Sequence, residues 1–390
     1  MAGLRIAYIQ NANLPTEWAN GLQIMRTCEA FAAAGVRTDL ILPSRKNPNR
    51  GTDVFEYYGM KPTFSVRWLP VVDLLPFFPF ALERFPYVLE RWTYVRGVHR
   101  MLDREIVADA WYTRDVVIAR SLMDRENAKP VVLELHDEPR IRPERWKAIK
   151  DRVAAYIVIS NGLRALLLSE GIPEERILVS PDGYDAEEFS RLPAKADARA
   201  KLGIAADARV VAYAGQLFPW KGLDALIPFF DRVPGACELV IVGGQPEDFD
   251  RIRPMMPASM PHARFVGQVP RAVALEWLAA ADAGLLPTSA KFEIGRLFTS
   301  PLKLFEYLAA GLPAIASDVP SSREILDDRT ALFFDPDSGL SFLQSLERFA
   351  ALTPDAFAEM SRSARDKASG FTWTERGARI ARFLSERLGV

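Results

Sequence analysis

Cysteine and histidine are scarce in this chain of 390 residues, which holds two cysteines (Cys28, Cys237) and three histidines (His99, His136, His262). Two distant cysteines in apolar surroundings exclude a disulfide framework and a thiolate metal site. The histidines show no metal-ligand spacing. A charge surplus is also missing: 49 Lys and Arg stand against 50 Asp and Glu. A chain that lives on phosphate backbones carries a basic excess, so nucleic acid is not expected as a partner. No apolar run reaches bilayer length. The N-terminus, Met1-Ala2-Gly3-Leu4-Arg5-Ile6, enters a strand-like segment without signal-peptide architecture. These shortages lead us to expect a cytoplasmic protein that needs neither metal nor cofactor.

What is present is the balance of a globular protein, 49% hydrophobic and 25% charged, at a length that suits two or three domains. Arg5–Gln10 reads as a buried strand, Gly21–Ala34 as an amphipathic helix closed by Gly35, and Val36–Leu42 as a second strand. Strand, helix and strand in succession form a βαβ unit and imply a parallel sheet. Further strands are expected at 110–112, 131–135, 155–159 and 177–179. The polar, Ala-rich run from Leu192 to Ala208 reads as a boundary.

A second alternating series then begins. Strands are expected at 210–214, 238–242, 264–266, 283–286 and 313–316, with helices at 222–230, 272–280 and 301–310. A last helix-period segment runs from Trp373 to Leu388. The fold class is therefore α/β, two Rossmann-like doubly wound domains facing across a cleft, with ligands outside the carboxyl ends of the strands.

Two segments carry chemistry. In Thr299-Ser300-Pro301-Leu302-Lys303-Leu304-Phe305-Glu306-Tyr307-Leu308-Ala309-Ala310-Gly311, Ser300 reads as an N-cap, Pro301 as first-turn residue and Gly311 as the exit. A helix N-terminus is a ready anion site. Lys303 in the first turn opposes the helix dipole unless an anion lies nearby. Glu306 leans back toward the same end, within reach of a ribose. Taken alone, a capped surface helix explains these residues equally well. The second segment, Ala214-Gly215-Gln216-Leu217-Phe218-Pro219-Trp220-Lys221-Gly222, lies where nucleotide-binding α/β domains place their phosphate loop. Lys221 and Lys303 would converge across adjacent strand ends.

The pattern G-x-L-x-x-x-K-G followed by S-P-x-K-x-F-E-Y-x-A-A-G resembles the retaining glycosyltransferase family four, of GT-B architecture, over nearly the whole chain and most closely over 210–326. Tyr112-Thr113-Arg114-Asp115, Glu134-Leu135-His136-Asp137, Asp182-Gly183-Tyr184-Asp185 and Ser317-Asp318-Val319-Pro320 add to the likeness. The resemblance implies an acceptor domain over 1–190, a nucleotide-sugar domain over 191–370, and a helix over 371–390 that crosses back. It implies metal-independent transfer of a sugar with retained configuration. Gly215, Gln216, Lys221 and Ser300, Pro301, Leu302 and Lys303 would hold the diphosphate, and Glu306 the ribose. Phe265, Gln268 and Val269 would embrace the base. Gly21 would let the first domain approach, and His136 would line the cleft beside the sugar. His136, Lys221 and Glu306 form the catalytic set.

Two positions depart from the family pattern: Gln216 stands where arginine is frequent, and Phe298 where a first glutamate is frequent. They motivate a second reading, a nucleotide-sugar-binding protein without turnover. A third, an epimerase on the same scaffold, lacks a carboxylate and base set. Asp248-Phe249-Asp250 resembles a metal-binding D-x-D but reads as a loop or helix start. Arg114 and Asp115 either shape the acceptor side or form an ion pair. Phe64–Val95, rich in aromatics and proline with Arg67, Arg84 and Arg91 interleaved, reads as an insertion packed on the first domain. The sharper reading makes it an apolar surface for a lipid-linked acceptor or a peripheral contact with the inner membrane face.

Overall fold

The computed structural model describes residues 3–49, 51–78, 84–139 and 141–389. The chain divides into two compact units, the first formed by Met1–Ile159, Leu163–Pro181 and Trp373–Val390, the second by Ser160–Gly162 and Asp182–Thr372. Among the described residues, no helix is long and apolar enough to cross a membrane.

The first unit holds β1 (Arg5–Ile9), β2 (Arg37–Ser44), β3 (Ser65–Pro70), β4 (Ala110–Thr113), β5 (Val131–Leu135), β6 (Ala155–Val158) and β7 (Ile177–Val179). All pair in parallel, in the order β3-β2-β1-β4-β5-β6-β7. The second unit holds β8 (Val210–Ala214), β9 (Glu238–Val242), β10 (Ala263–Gly267), β11 (Ala283–Leu286), β12 (Ala314–Ser317) and β13 (Ala331–Phe334). Their order, β10-β9-β8-β11-β12-β13, is again parallel throughout. In each sheet the chain builds outward on one side, then returns to the first strand and builds on the other. That reversal is the doubly wound arrangement, and it places a crevice at the carboxyl ends of the central strands. Strands β4, β5 and β6 are buried along their whole length, as a parallel sheet covered on both faces requires.

Three expectations need correction. The stretch 64–95 is not an insertion: it supplies edge strand β3 and the first half of a long helix, Arg84–Arg104, while residues 79–83 lie outside the described residues. An edge strand with mostly exposed side chains carries no apolar run to announce it. Strand β13 was not anticipated either. The expected helix over 222–230 is a single turn, Leu223–Leu226, followed by a tighter 3₁₀ segment, Ile227–Arg232, because Pro228 has no N–H to continue the ladder.

The core of the first unit is closed by the C-terminal helix Trp373–Leu388, which packs on helix Ala19–Ala33. A β-carbon at Gly377 would lie 2.5 Å from that of Ala30, so only glycine permits this approach. The preceding residue, Arg376, is buried and donates to the Pro181 carbonyl (3.1 Å), the Thr27 hydroxyl (3.2 Å) and Glu134 Oε1 (2.6 Å). Glu134 also accepts from Tyr112 and pairs with His136, each at 2.5 Å. Burial alone would raise its pKa, but the charges of Arg376 and His136 outweigh burial and hold it well below the usual carboxylate range. Removing one partner of such a pair leaves an uncompensated buried charge. Arg376→Met is therefore expected to lose about 3–5 kcal/mol of stability, read by denaturant unfolding. The double variant Arg376→Met/Glu134→Met should recover a large part of that loss, and equal losses in the two would show the pair to be unimportant.

Candidate functional site

The carboxyl ends of β8, β9 and β11 are built largely from glycine and backbone. After β8, Gly215 adopts φ +133°, and a β-carbon at Gly243, which follows β9, would lie 2.3 Å from the Gly215 carbonyl oxygen. Gly222, at φ +79°, sits against the strand-end loop of β11, where a β-carbon would meet the Pro287 carbonyl at 1.8 Å. Three loops thus close on one another with no room for side chains.

Into this space comes helix Leu302–Ala309. Tyr307 fastens it to the sheet, its hydroxyl accepting the Ala214 N–H (3.0 Å) and donating to the Leu285 carbonyl (3.3 Å). Gly284 exists to make room for the Tyr307 ring, which a β-carbon would approach to 2.2 Å. The cap differs from expectation: Pro301 occupies the N-cap position without a side-chain cap bond. The Ser300 hydroxyl instead accepts the Asp182 N–H at 3.0 Å. The extended backbone at Pro301 turns the chain before the helix begins, so Ser300 falls one residue too early to cap it.

Lys303 follows in the first turn and is only 6% exposed, with its ammonium 3.4 Å from the centre of the Tyr213 ring and without a hydrogen-bond partner. Burial first, then the charge of Lys221, push its pKa well below the usual lysine value, with Glu306 opposing. Lys221 is also pushed down, to about 8, by burial, with Asp248 opposing. The ammonium of Lys221 lies over Gly215, 3.7 Å from where a β-carbon would be, and near the rings of Trp220 (5.4 Å) and Phe218 (5.7 Å). In the same loop Gln216 has a buried, unpartnered Oε1. The two lysines and the unpartnered Gln216 acceptor make this strand end a candidate polar site.

Glu306 is held rather than free, since Arg271 donates to it at 2.9 Å and also grips Glu188 at 2.6 and 2.8 Å. Neither Arg271 nor Tyr307 was picked from sequence. The first is separated from Glu306 by 35 positions, and the second reads as one more apolar helix residue. At β10 a bulge shifts the register between Phe265 and Gly267. The Phe265 ring packs into the core against Phe249 and Phe230, at 5.8 and 6.0 Å, and Val269 leans on the apolar cluster beneath helix Arg271–Ala280. Gly267 gives its carbonyl to the Gly243 N–H at 2.7 Å, which brings the Phe265–Val269 turn, with Gln268, beside the glycine loops.

Asp248 starts helix Pro246–Ile252 and accepts the Gln245 N–H, while Asp250 is exposed and pairs with Arg253. The D-x-D triplet is therefore a helix start. Phe298 is buried in a π-helical turn, Ile294–Phe298, and Glu293 pairs with Arg296 at 3.6 Å. Among the described residues, no three His, Cys, Asp or Glu side chains are grouped so as to hold a metal ion.

In the first unit, His136 follows β5. Because Glu134 is a carboxylate and can only accept, Nε2 of His136 carries the proton of their bond. Glu134 was legible only as part of a motif, and its role in orienting His136 appears with the fold. At Gly21 a β-carbon would meet the Tyr58 hydroxyl at 2.2 Å and Thr16 Cγ2 at 2.7 Å, so packing within this unit already requires glycine. Asp115 is an N-cap, accepting from Val117 and Ile118, while Arg114 donates to Gln23. These bonds account for both residues without an ion pair between them.

Residues 208–351 match the family model described as "Glycosyl transferases group 1". The chain is 28% identical to a D-inositol 3-phosphate glycosyltransferase of Thermobispora bispora over 269 residues, which is 64% of this chain and 60% of that one. It is 32% identical over 127 residues to a lipopolysaccharide 1,2-N-acetylglucosaminetransferase of Salmonella typhimurium, 32% of this chain and 31% of that one. These alignments thus span about 60% or less of the relatives' own length. Among solved structures, sucrose-phosphate synthase from Thermosynechococcus elongatus superposes with a TM-score of 0.76 at 18% identity over 98% of both chains. Anabaena HepE in complex with UDP and glucose superposes at 0.72, with 16% identity, over 98% of this chain and 100% of that one. The architecture is accordingly GT-B-like.

A lysine that is buried without a counterion costs stability in the free protein. Lys303→Met, which keeps the stem and removes the charge, is expected to raise the melting temperature of the ligand-free protein by about 2–6 °C. A fall in melting temperature would mean that Lys303 is a structural group.

Proposed function

From a chain whose second unit carries a group 1 glycosyltransferase domain, on a GT-B-like pair of sheets, we propose a transfer reaction. A sugar passes from a nucleoside diphosphate to a glycan or lipid-linked glycan precursor, with retained configuration and without a metal. The observation that carries the donor assignment is the convergence of Lys221, half-buried, and Lys303, buried without a hydrogen-bond partner, beside a helix N-terminus, where only the charges of Asp248 and Glu306 oppose the burial of the two ammonium groups. Breaking a sugar–phosphate bond builds negative charge on the departing diphosphate. Cations already fixed in a low-dielectric space stabilise that charge without reorganising.

In this reading Lys221, Lys303, the Leu302 end of the helix and the Gly215–Gln216 turn take the diphosphate. Ser300 and Pro301 set the helix entry. Glu306 takes the ribose with Arg271 holding its carboxylate, and Phe265, Gln268 and Val269 frame the base. His136, its Nε2–H held by Glu134, donates to the sugar from Nδ1 in the imidazolium form. A glycan acceptor is supported by the names of relatives, among them the Salmonella transferase and a putative teichuronic acid biosynthesis glycosyltransferase of Bacillus subtilis. The cytoplasmic side is part of the same proposal. Gln216, with its unpartnered Oε1, and the buried Phe298 favour a second reading, a binder of nucleotide sugar that does not turn over.

The test is a thermal-shift panel of UDP, GDP, ADP, TDP and CDP with EDTA present, followed by assay of donor hydrolysis. One base is expected to shift the melting transition, and Lys221→Ala should weaken its binding about 10–100-fold, the loss of one charge-assisted contact. Silence across the panel would remove the donor site from consideration. A shift without hydrolysis or transfer would favour the binder.

Proton linkage offers an independent check. Lys221 titrates near 8 in the free protein, and a bound diphosphate, by favouring the ammonium form, must raise that value. The contribution of Lys221 to affinity is therefore expected to be full below about pH 8 and to decline as pH rises beyond it, and Lys303, whose pKa is also lowered, adds to the proton uptake on binding. Calorimetry in buffers of different ionisation enthalpy measures the uptake. Proton release would contradict the assigned role of Lys221.

A further inference from the structure

Thirteen large hydrophobic side chains are exposed among the described residues, and seven of them fall between Trp68 and Trp92. Three of the seven, Phe85, Val88 and Trp92, are exposed because of how helix Arg84–Arg104 is mounted. Its inner face is fixed by three buried side chains one turn apart. Glu90 takes bonds from Arg45 (2.9 Å) and Asn11 (3.1 Å), Tyr94 donates to the Ile41 carbonyl (2.6 Å), and Val98 is in the core. Opposite that face, at steps of three and four residues, stand Phe85, Val88, Trp92, Arg96, Arg100 and Arg104, all exposed. The stripe is apolar over its first half and basic over its second.

Edge strand β3 runs beside the basic half. Gly97 lets Leu69 approach to within van der Waals distance, and the Val72 N–H donates to Thr93. Between strand and helix lies an open groove of about 350 Å³, lined by Leu69, Pro70 and Met101 together with Arg96, Arg100 and Arg104. Trp68, 42% exposed, stands on the same strand, and Phe77, 66% exposed, carries the Lys46 ammonium 3.8 Å from its ring centre. Among the acidic residues of this helix, Glu90 is buried against Arg45 and Asp103 is paired with Arg125. Glu105, just past the helix end, is the acidic group that lines the groove. The face therefore keeps its positive character.

We propose that this face binds the surface of a bilayer containing anionic phospholipid. The rings of Phe85 and Trp92 enter the headgroup boundary, where amphipathic aromatics are favoured. Arg96, Arg100 and Arg104 meet headgroup phosphates, which a guanidinium can engage with two bonds at once. Charge complementarity selects this occupant. A soluble apolar partner would gain nothing from three exposed arginines in file, and a free phosphate would gain nothing from the rings beside them. The inference is independent of the donor reading, because none of these residues belongs to the nucleotide-binding unit.

The experiment is flotation of the full chain, without nucleotide, with vesicles of phosphatidylcholine alone and with vesicles containing phosphatidylglycerol. Wild type is expected to float with the anionic vesicles only, and to be released by high salt. Arg96→Gln/Arg100→Gln/Arg104→Gln should lower the partition coefficient about 100-fold, at roughly a few-fold to tenfold per arginine. Phe85→Ser/Trp92→Ser should weaken binding in a manner that salt does not mimic. Both variants alter exposed positions and should keep the wild-type melting transition. Equal flotation with neutral and anionic vesicles, or unchanged flotation of the arginine variant, would overturn the proposal. So would displacement by millimolar inorganic phosphate, which would identify a small-anion groove. Loss of a dimer in the aromatic variant, seen by light scattering together with no vesicle binding, would assign the face to a second copy of the chain.

Discussion

In a parallel sheet wound in both directions, the strands flanking the first one send their connections to opposite faces, and the ends between them stay uncovered. The second unit depends on this constraint. The reversal falls between β8 and β11, and the chain fills the gap with backbone rather than side chains, through Gly215, Gly222 and Gly243. Helix Leu302–Ala309 then points its N-terminus into that gap because Tyr307 ties it to both central strands. A site so built has N–H groups and little bulk. Two lysines added to it are stable only as far as the fold can tolerate uncompensated charge, and Lys303 sits at that limit against the Tyr213 ring. In the proposed reaction that tension is useful, because a group already desolvated would meet an anion at full strength.

The first unit resolves its buried charge differently. Glu134 is surrounded by Arg376, Tyr112 and His136, so that its charge is matched inside the core. The consequence is positional. Arg376 and Glu134 are 242 positions apart in the chain, and their contact commits the C-terminal helix to the first unit while setting the orientation of His136. One carboxylate thus serves both the packing of the last helix and the direction of a candidate site residue.

Helix Arg84–Arg104 shows a third use of charge. Its buried face is polar at Glu90 and Tyr94, both satisfied by the ends of β1 and β2 and the loops that follow them. Its exposed face is where large apolar side chains collect. This inversion of the ordinary pattern explains why the segment resisted reading from sequence: apolar periodicity is a guide to burial only where the apolar face is the buried one.

By itself the sequence determined the alternation of strands and helices, hence two doubly wound sheets. Near-continuous apolar runs such as Val-Val-Ala-Tyr-Ala and Glu-Leu-Val-Ile-Val suit only strands covered on both faces. It also determined that Gly215, Lys221, Lys303 and Glu306 belong to strand ends and a helix start, because local spacing decides such positions. Edge strand β3, with mostly exposed side chains, lacked those signals, and β13, Ala-Leu-Phe-Phe, offered a run of only 4 residues. Only the tertiary structure decided that Ser300 bonds to Asp182 instead of capping, that Arg271 holds Glu306, that Glu134 joins Arg376, and that the Phe85–Arg104 stripe faces outward. Each of these is a contact between segments distant in the chain, or a choice between two faces of one helix. Local propensity is indifferent to both, and they are settled when packing brings the segments together and desolvation makes each polar group find its partner.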